Sequence, residues 1–342
     1  MEIQKSKLKK ALEIVKPGLA NKEIMEQTTS FAFIGDRVVT YNDEISLSHP
    51  VDGMEIQGAI KAEELYKFLS KVKTEEIELE EEENQIVLVN GRAKVGFIVS
   101  KEINLPLDEE IAEKGEWKKL PKEFITALSF TADVCSKDQS DPKLVCVHIN
   151  ADGYVEGSDK YRIAQYKMKG KMPIPTTLLP APSAKEIIKM NPVKVASGKG
   201  WVHFINEEDT ILSCRVFNES YVNTAPILKT PKSGVEVTFP EDLPEILEKA
   251  RIFAERKSII DENVDITLKK KLIVVESKSE TGWFKESAAI DYKGDSIVFS
   301  TTPYLLKDIL KDTKGCIIFK DRLKFESDNW IYITALRKSN IE

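Results

Sequence analysis

The chain repeats itself three times, and no other feature of it constrains the fold so tightly. The period is near 114 residues, one third of 342. Each third opens on apolar residues at helical spacing: Leu8, Leu12 and Val15, then Phe124 and Leu128, then Leu243, Ile246, Leu247 and Ala250. Segments of alternating polarity follow, and their period of two predicts strands at residues 30–34 and 37–41, 144–149 and 154–157, and 264–268 and 272–276. Turn formers separate the members of each pair at Gly35-Asp36 and Asp152-Gly153, and a lysine run does so in the last third.

A second helix is predicted in every third. At residues 62–73, Leu65, Phe68, Leu69 and Val72 fall at i, i+3, i+4 and i+7. Its counterparts are residues 183–190, with Ser183 as N-cap, and residues 303–311, with Thr302 as N-cap and Pro303 at the first helical position. A hairpin comes next in each case, at 77–80 with 86–89, 193–196 with 201–205, and 316–319 with 323–326. Closing strands are expected at 94–99, 211–217 and 330–336. The order helix, strands, helix, strands, run through three times, predicts an α+β protein of three similar domains, 1–117, 118–231 and 232–342, each with two helices packed on antiparallel sheets. The links are short, the second being Leu228-Lys229-Thr230-Pro231, which favours a fixed quasi-symmetric arrangement over independently tumbling units.

With 42% hydrophobic residues and 14 Phe, 9 Tyr and 4 Trp, each domain has material for its own core, and no metal or disulfide is needed. Cys135, Cys146, Cys214 and Cys316 are scattered without a CxxC pair, so they read as ordinary buried thiols. The basic N-terminal residues Lys5, Lys7, Lys9 and Lys10 lead into no signal-peptide stretch, and no run approaches the roughly 18 apolar residues of a membrane helix. A soluble, cytoplasmic protein without membrane contact is expected.

A net charge of -6 excludes a uniformly basic, histone-like coat but leaves room for a local basic surface. Such a surface is suggested by lysine pairs at i, i+4 in the second helix of each third: Lys67/Lys71, Lys185/Lys189 and Lys307/Lys311. On a helical wheel Lys67 and Lys71 lie at roughly 200° and 240° from Leu65, opposite the apolar stripe. One such pair is the ordinary solvated face of a helix; three at equivalent places suggest one continuous positive surface. Acidic residues gather elsewhere, at Glu75, Glu76, Glu78 and Glu80 to Glu83. An acidic exterior with a basic helical stripe suits sequence-independent contact with phosphates.

Catalytic motifs are scarce. Three histidines, His49, His148 and His203, give little material for acid–base or metal chemistry, and Cys146-x-His148 offers only two ligands on one strand face. Gly198-Lys199-Gly200 lacks the upstream Gly and the following Ser/Thr of a phosphate loop and reads as a hairpin turn. Asn218-Glu219-Ser220 matches a glycosylation acceptor without a secretion signal before it. No nucleophile stands with a base and an orienting group at a recognisable spacing. No enzyme, no metal and no cofactor are expected.

At this point the pattern resembles the bacterial sliding clamp, the beta subunit of the replicative DNA polymerase. Thr40-Tyr41-Asn42-Asp43-Glu44-Ile45-Ser46-Leu47 is similar to the family's "ATDLEISL" segment and Ser158-Asp159-Lys160-Tyr161-Arg162-Ile163-Ala164 to its "TDGHRLA" segment. Tyr292-Lys293-Gly294 with Tyr304-Leu305-Leu306 matches its "Y.G" and "YLL" pattern. The likeness extends over essentially the whole chain in repeat number, repeat length and element order. Two departures stand out: the family's Gly-His is Lys160-Tyr161 here, and its C-terminal "MPMRL" is Thr334-Ala335-Leu336-Arg337-Lys338, with four residues beyond.

The resemblance implies a head-to-tail homodimer, a ring whose helices surround duplex DNA and which tethers a polymerase without chemistry of its own. It places Lys22, Lys67, Lys71, Lys185, Lys189, Lys307 and Lys311 toward DNA. It sets Phe97 and Val99 of one subunit against Ile252 and Phe253 of the next. It also implies a pocket for short peptides of the polymerase and the clamp loader, lined by Leu144, Ser158, Lys160, Tyr161, Arg162, Ile163, Val222, Pro226, Ile227, Tyr332 and Thr334. Two other readings stay open: a repeat-built protein-binding scaffold without DNA encirclement, and a hydrolase using the acidic hairpin around Glu80 and Glu82.

Overall fold

The computed structural model describes residues 2–54, 56–107, 111, 114–229, 231 and 233–337. Thr230 of the second expected link, Lys232 just after that link, and Lys338 with the tail after it lie outside the described residues. Seven helices are found among them: α1 (Lys5–Val15), α2 (Ala62–Lys71), α3 (Phe124–Ala132), α4 (Ala181–Met190), α5 (Ala225–Leu228), α6 (Leu243–Ala254) and α7 (Pro303–Ile309). The fold is α+β with antiparallel sheets, as the repeat pattern predicts.

By contact density the chain divides into two compact units: residues 1–129, 148–153 and 169–219 form one, and residues 130–147, 154–168 and 220–342 the other. Neither follows the thirds of the sequence, and the sheets supply the reason. In the first unit an eight-stranded sheet runs Gly58–Lys61, Ser30–Ile34, Arg37–Tyr41, Ile45–Pro50, Ile211–Arg215, Trp201–Ile205, Lys194–Ser197, Lys118–Lys119. Its join is the pairing of Ile45 with Cys214 and of Ser48 with Ile211, so strands of the first and second thirds share one hydrogen-bonded ladder. The second unit repeats the device, with Tyr154–Ser158, Arg162–Lys167, Trp330–Ala335, Arg322–Glu326, Gly315–Ile318 and Val235–Thr238 in that order. There Arg162 pairs with Thr334 and Tyr166 with Trp330. These joins are continuous antiparallel ladders between strands of neighbouring thirds, a connection that a short link alone would not provide.

A four-stranded sheet completes each unit: Glu2–Gln4, Glu76–Glu82, Gln85–Asn90, Ala93–Ile98 in the first, and Trp283–Ala289, Leu272–Lys278, Val264–Lys269, Ile297–Thr301 in the second. Helix α1 buries Leu8, Ala11, Leu12 and Val15, one stripe at i, i+3, i+4 and i+7, on the strands Arg37–Tyr41 and Ile45–Pro50. Helix α2 buries Ala62, Leu65 and Leu69, opens on Glu63 and Glu64 and closes on Lys71, so its charges complement the helix dipole. In the second unit α6 buries Leu243, Ile246, Leu247, Ala250 and Ala254 against the strand Leu272–Lys278 and packs on α7. The turns at Gly35 and Gly153 have φ of 60° and 93°, a left-handed backbone that glycine adopts without steric cost.

Three sequence expectations are corrected. Ser183 does not cap α4: that helix starts two residues earlier, Pro180 holds the N-cap position, and the Ser183 hydroxyl is buried inside the helix without a hydrogen-bond partner. Thr302 does precede α7, but its hydroxyl donates to the Ile260 carbonyl instead of accepting from the helix. Helix α7 ends at Ile309, so Lys311 sits in the following turn and not one helical turn above Lys307.

Candidate functional site

In the second unit the segment 158–162 forms a tight turn between strands. Asp159 builds it: its Oδ1 accepts from the amides of Tyr161 and Arg162 at 3.1 and 3.0 Å, and its Oδ2 accepts from Arg162 Nε at 2.9 Å. Ser158 Oγ donates to the Arg162 carbonyl at 2.8 Å. These bonds hold Lys160 at φ 78°, in the left-handed region that side chains other than glycine avoid.

A cavity of about 210 Å³ opens beside this turn, lined by Ser158, Lys160, Tyr161, Arg162, Ile163, Ile227, Asp321, Arg322, Ile333 and Ala335. Six of the eleven residues assigned to a peptide pocket by resemblance are among them. Leu144, Val222, Pro226, Tyr332 and Thr334 are not. Strand parity accounts for the last two, because successive side chains in a strand point to opposite faces. Along Trp330–Ala335 the Tyr332 and Thr334 side chains turn into the core, at 2% and 0% exposure, and it is Ile333 and Ala335 that line the cavity. Leu144 is likewise buried, while Val222, Pro226 and Ile227 lie exposed, the last two on the short helix α5. Asp321 and Arg322 carried no motif and were missed; a charged pair in a hairpin turn is not distinguishable from solvated surface until the opposing wall is known.

Arg162 is the hinge of this wall. All its donor groups are used within the protein: Nε on Asp159, Nη1 on Asp308 Oδ2 at 2.6 Å and Tyr332 Oη at 3.4 Å, and Nη2 on the Asp133 carbonyl at 2.9 Å and Tyr304 Oη at 3.1 Å. The guanidinium also stacks 5.1 Å from the Tyr304 ring centre. Burial on its own would favour loss of the charge, but Tyr332 and Asp159 outweigh it and the proton is held more firmly than usual. Arg162 thus shapes the cavity without offering it a free donor. The wall is apolar at Ile163, Ile227 and Ile333, with cations at its rim, a surface suited to an aliphatic side chain carried on a polar segment.

Four of the helix lysines have carboxylate partners. Lys67 pairs with Glu63 one turn earlier on α2, and Lys189 reaches Glu186 at 2.7 Å on α4. Lys307 pairs with Glu248 of α6, and Lys311 reaches Asp308 at 3.1 Å. Lys71 and Lys185 are exposed. Each of these is a surface ion pair, worth about 0–1 kcal/mol. Lys22 lies on the exposed segment 21–26, in a cavity of about 600 Å³ that also takes in Ile24, Met25, Asn42, Asp43 and Glu44.

Of the residues expected at a subunit contact, Phe97 and Val99 are buried, with Phe97 set edge-on against Phe68 at 6.0 Å. They are core side chains of the first unit. Between them Ile98 is 82% exposed, on the edge strand Ala93–Ile98. On α6, Ile252 is 68% exposed and Phe253 is half-buried over Gly282.

Among the described residues no group of three or more His, Cys, Asp or Glu is set to hold a metal ion, and no helix is long and apolar enough to cross a membrane. All four cysteines are buried, and burial pushes their thiols up, Cys146 to about 12. Burial and the neighbouring Lys114 push His203 down to about 4, so it is neutral at pH 7, with Nδ1 2.8 Å from Ser213 Oγ. Glu80 to Glu83 lie along a strand end and its turn, with Glu80 paired to Lys94.

No sequence-family model matches the chain, and no curated protein matches it by sequence. Solved structures do match over its whole length. The DNA polymerase III subunit beta of Pseudomonas aeruginosa superposes with a TM-score of 0.85 over 99% of this chain and 100% of that one, at 14% identity. The DNA polymerase III beta chain of Streptococcus pneumoniae gives 0.85 at 18% identity, and the beta subunit of Thermotoga maritima 0.81 at 17%, each over 99% of both chains. Despite such low identity, the chain has the fold of the bacterial DNA polymerase III beta sliding clamp.

Proposed function

We propose that this protein is a DNA sliding clamp: a homodimer of three-domain subunits, bounded near residues 117 and 231, that closes head to tail around duplex DNA and tethers a replicative DNA polymerase. The observation that carries this reading is the likeness to beta clamps over 99% of the chain. A closed ring holds DNA topologically, so the exposed, ion-paired lysines need only weak, salt-screened phosphate contacts that permit sliding. The cavity beside Arg162 receives a short peptide of the polymerase or of the clamp loader. Exposed Ile98 and Ile252, on the edge strand of the first unit and on α6, belong to the contact between subunits, which is heterologous and closes after two copies. The protein works in the cytoplasm, needs no cofactor and performs no catalysis.

Small-angle scattering tests the ring: a mass twice 38.6 kDa with a hollow profile is expected, and a compact solid monomer would remove the topological mechanism. Retention on circular but not on linear DNA tests encirclement. The scaffold reading predicts no dependence on DNA topology and indifference to charge reversal at Lys67, Lys71, Lys189 and Lys311.

A further inference from the structure

The turn at residues 41–45 in the first unit and the turn at residues 158–162 in the second are built alike. Asn42 Oδ1 accepts from the amides of Glu44 and Ile45 at 3.2 and 2.9 Å, as Asp159 Oδ1 does from those of Tyr161 and Arg162. The next residue is left-handed in both, Asp43 with φ 74° and Lys160 with φ 78°. The Arg215 amide donates to the Glu44 carbonyl at 2.9 Å, and the Ala335 amide to the Tyr161 carbonyl at 2.8 Å. Across the ladder Arg215 stands opposite Trp201, and Ala335 opposite Arg322. Positions 43 and 160, 215 and 335, and 201 and 322 are therefore structural equivalents.

What fills them differs. In the first unit the Arg215 guanidinium lies 4.6 Å from the Trp201 ring centre, and its Nε and Nη2 donate to the Asp43 carbonyl and Oδ1 at 2.7 and 2.8 Å. The charge of the left-handed residue is thus neutralised from within the chain. In the second unit the equivalent of Arg215 is Ala335, and the space that a long side chain would occupy is part of the 210 Å³ cavity. Of the cations lining that cavity, Arg162 is saturated, and Arg322 is held by Asp321 at 3.0 and 2.8 Å and by the Ile227 carbonyl at 3.1 Å. Lys160 Nζ, half-exposed, comes no nearer a carboxylate than 3.9 Å, from Asp141, which is beyond hydrogen-bond reach. A strained backbone at a cavity mouth, presenting a charge that among the described residues has only the 3.9 Å pairing with Asp141, points to a contact made with something else.

We propose that the occupant of this cavity is a peptide segment with an acidic residue beside its aliphatic anchor, and that Lys160 is the specificity-determining residue that reads the acid. The acidic group takes the part in the second unit that Arg215 takes in the first, with the signs reversed. This rests on the peptide-pocket reading above and gives the peptide its chemistry.

The test selects a phage-displayed library of random heptapeptides on the intact protein. Enrichment of an aliphatic residue with Asp or Glu within two positions is expected. In the selected peptides Asp→Asn should weaken binding about threefold at low salt, the size of an exposed ion pair. Lys160→Gly accepts the left-handed backbone freely, so that variant stays folded; it should keep apolar binding and lose the Asp-against-Asn difference. Ala335→Arg, which restores the arrangement of the first unit, should abolish binding. Selection without acidic enrichment, or a Lys160→Gly protein that still prefers Asp, overturns the role of Lys160 alone. No binders at all, or binders indifferent to Ala335→Arg, overturns the peptide pocket itself and Lys160 with it.

Discussion

Arg162 Nη1 donates to Asp308 Oδ2 at 2.6 Å, fastening the cavity wall of the second unit to helix α7. The Arg162 side chain is 2% exposed, and Tyr304 and Tyr332 complete its surroundings. Truncation would strand the Asp159 and Asp308 carboxylates and leave a hole. Arg162→Ala should therefore cost about 3–5 kcal/mol, the usual penalty for breaking a buried pair, read as a lower denaturant midpoint. Arg162→Lys should fall between, because it keeps the charge and loses the planar fork.

Phe97 and Ile98 are adjacent in sequence and opposite in role. Ile98→Asp should leave the thermal midpoint of the isolated subunit unchanged and shift sedimentation from dimer to monomer. Phe97→Ala should instead destabilise the fold by about 3–5 kcal/mol, the cost of removing a core aromatic. If Ile98→Asp remained fully dimeric at micromolar concentration, the edge strand would not belong to the subunit contact.

The ion pairs on the helices make a signed prediction about DNA. Lys67→Glu with Lys189→Glu should weaken DNA contact and flatten its dependence on salt. Glu63→Gln and Glu186→Gln should do the reverse, since each releases a lysine from its partner. Titration of labelled duplex at several salt concentrations reads both effects, and slopes equal to the parent's in every variant would take the lysines out of the DNA contact.

His203 gives a pH dependence. Burial, with Lys114 nearby, lowers its native pKa to about 4 from 6.5, so the native state keeps it neutral while the unfolded chain takes up a proton. Its contribution is present in full above pH 6.5 and is lost as pH falls from 6.5 toward 4, amounting to roughly 2 kcal/mol by pH 5. Urea unfolding at pH 7 and pH 5 should show a smaller loss for His203→Gln than for the parent protein; an equal loss would place the titration in other groups.

Much of the fold was legible because it rests on local pattern. The stripe Leu65, Phe68, Leu69 and the pairs around Gly35-Asp36 and Asp152-Gly153 announce their elements without reference to the rest of the chain. The cavity was legible only in part. Ser158 to Ile163 lie in a motif, but Ile333 and Ala335 line the cavity through strand parity, and Asp321 and Arg322 through a hairpin that folds against the same wall. A strand states that its faces alternate, not which of them the core will claim.

Local pattern was enough for the α+β class and for the places of the long helices and strands, because periodicity is a property of short windows. Tertiary structure alone decided that strands of neighbouring thirds share a sheet, that Phe97 points inward and Ile98 outward, that Arg162 spends all its donors within the protein, and that Lys160 faces a space which Arg215 fills in the other unit. Those outcomes depend on which distant backbone lies alongside, and pairing between residues some 170 positions apart, as between Ile45 and Cys214 or Arg162 and Thr334, leaves no mark in either segment read alone.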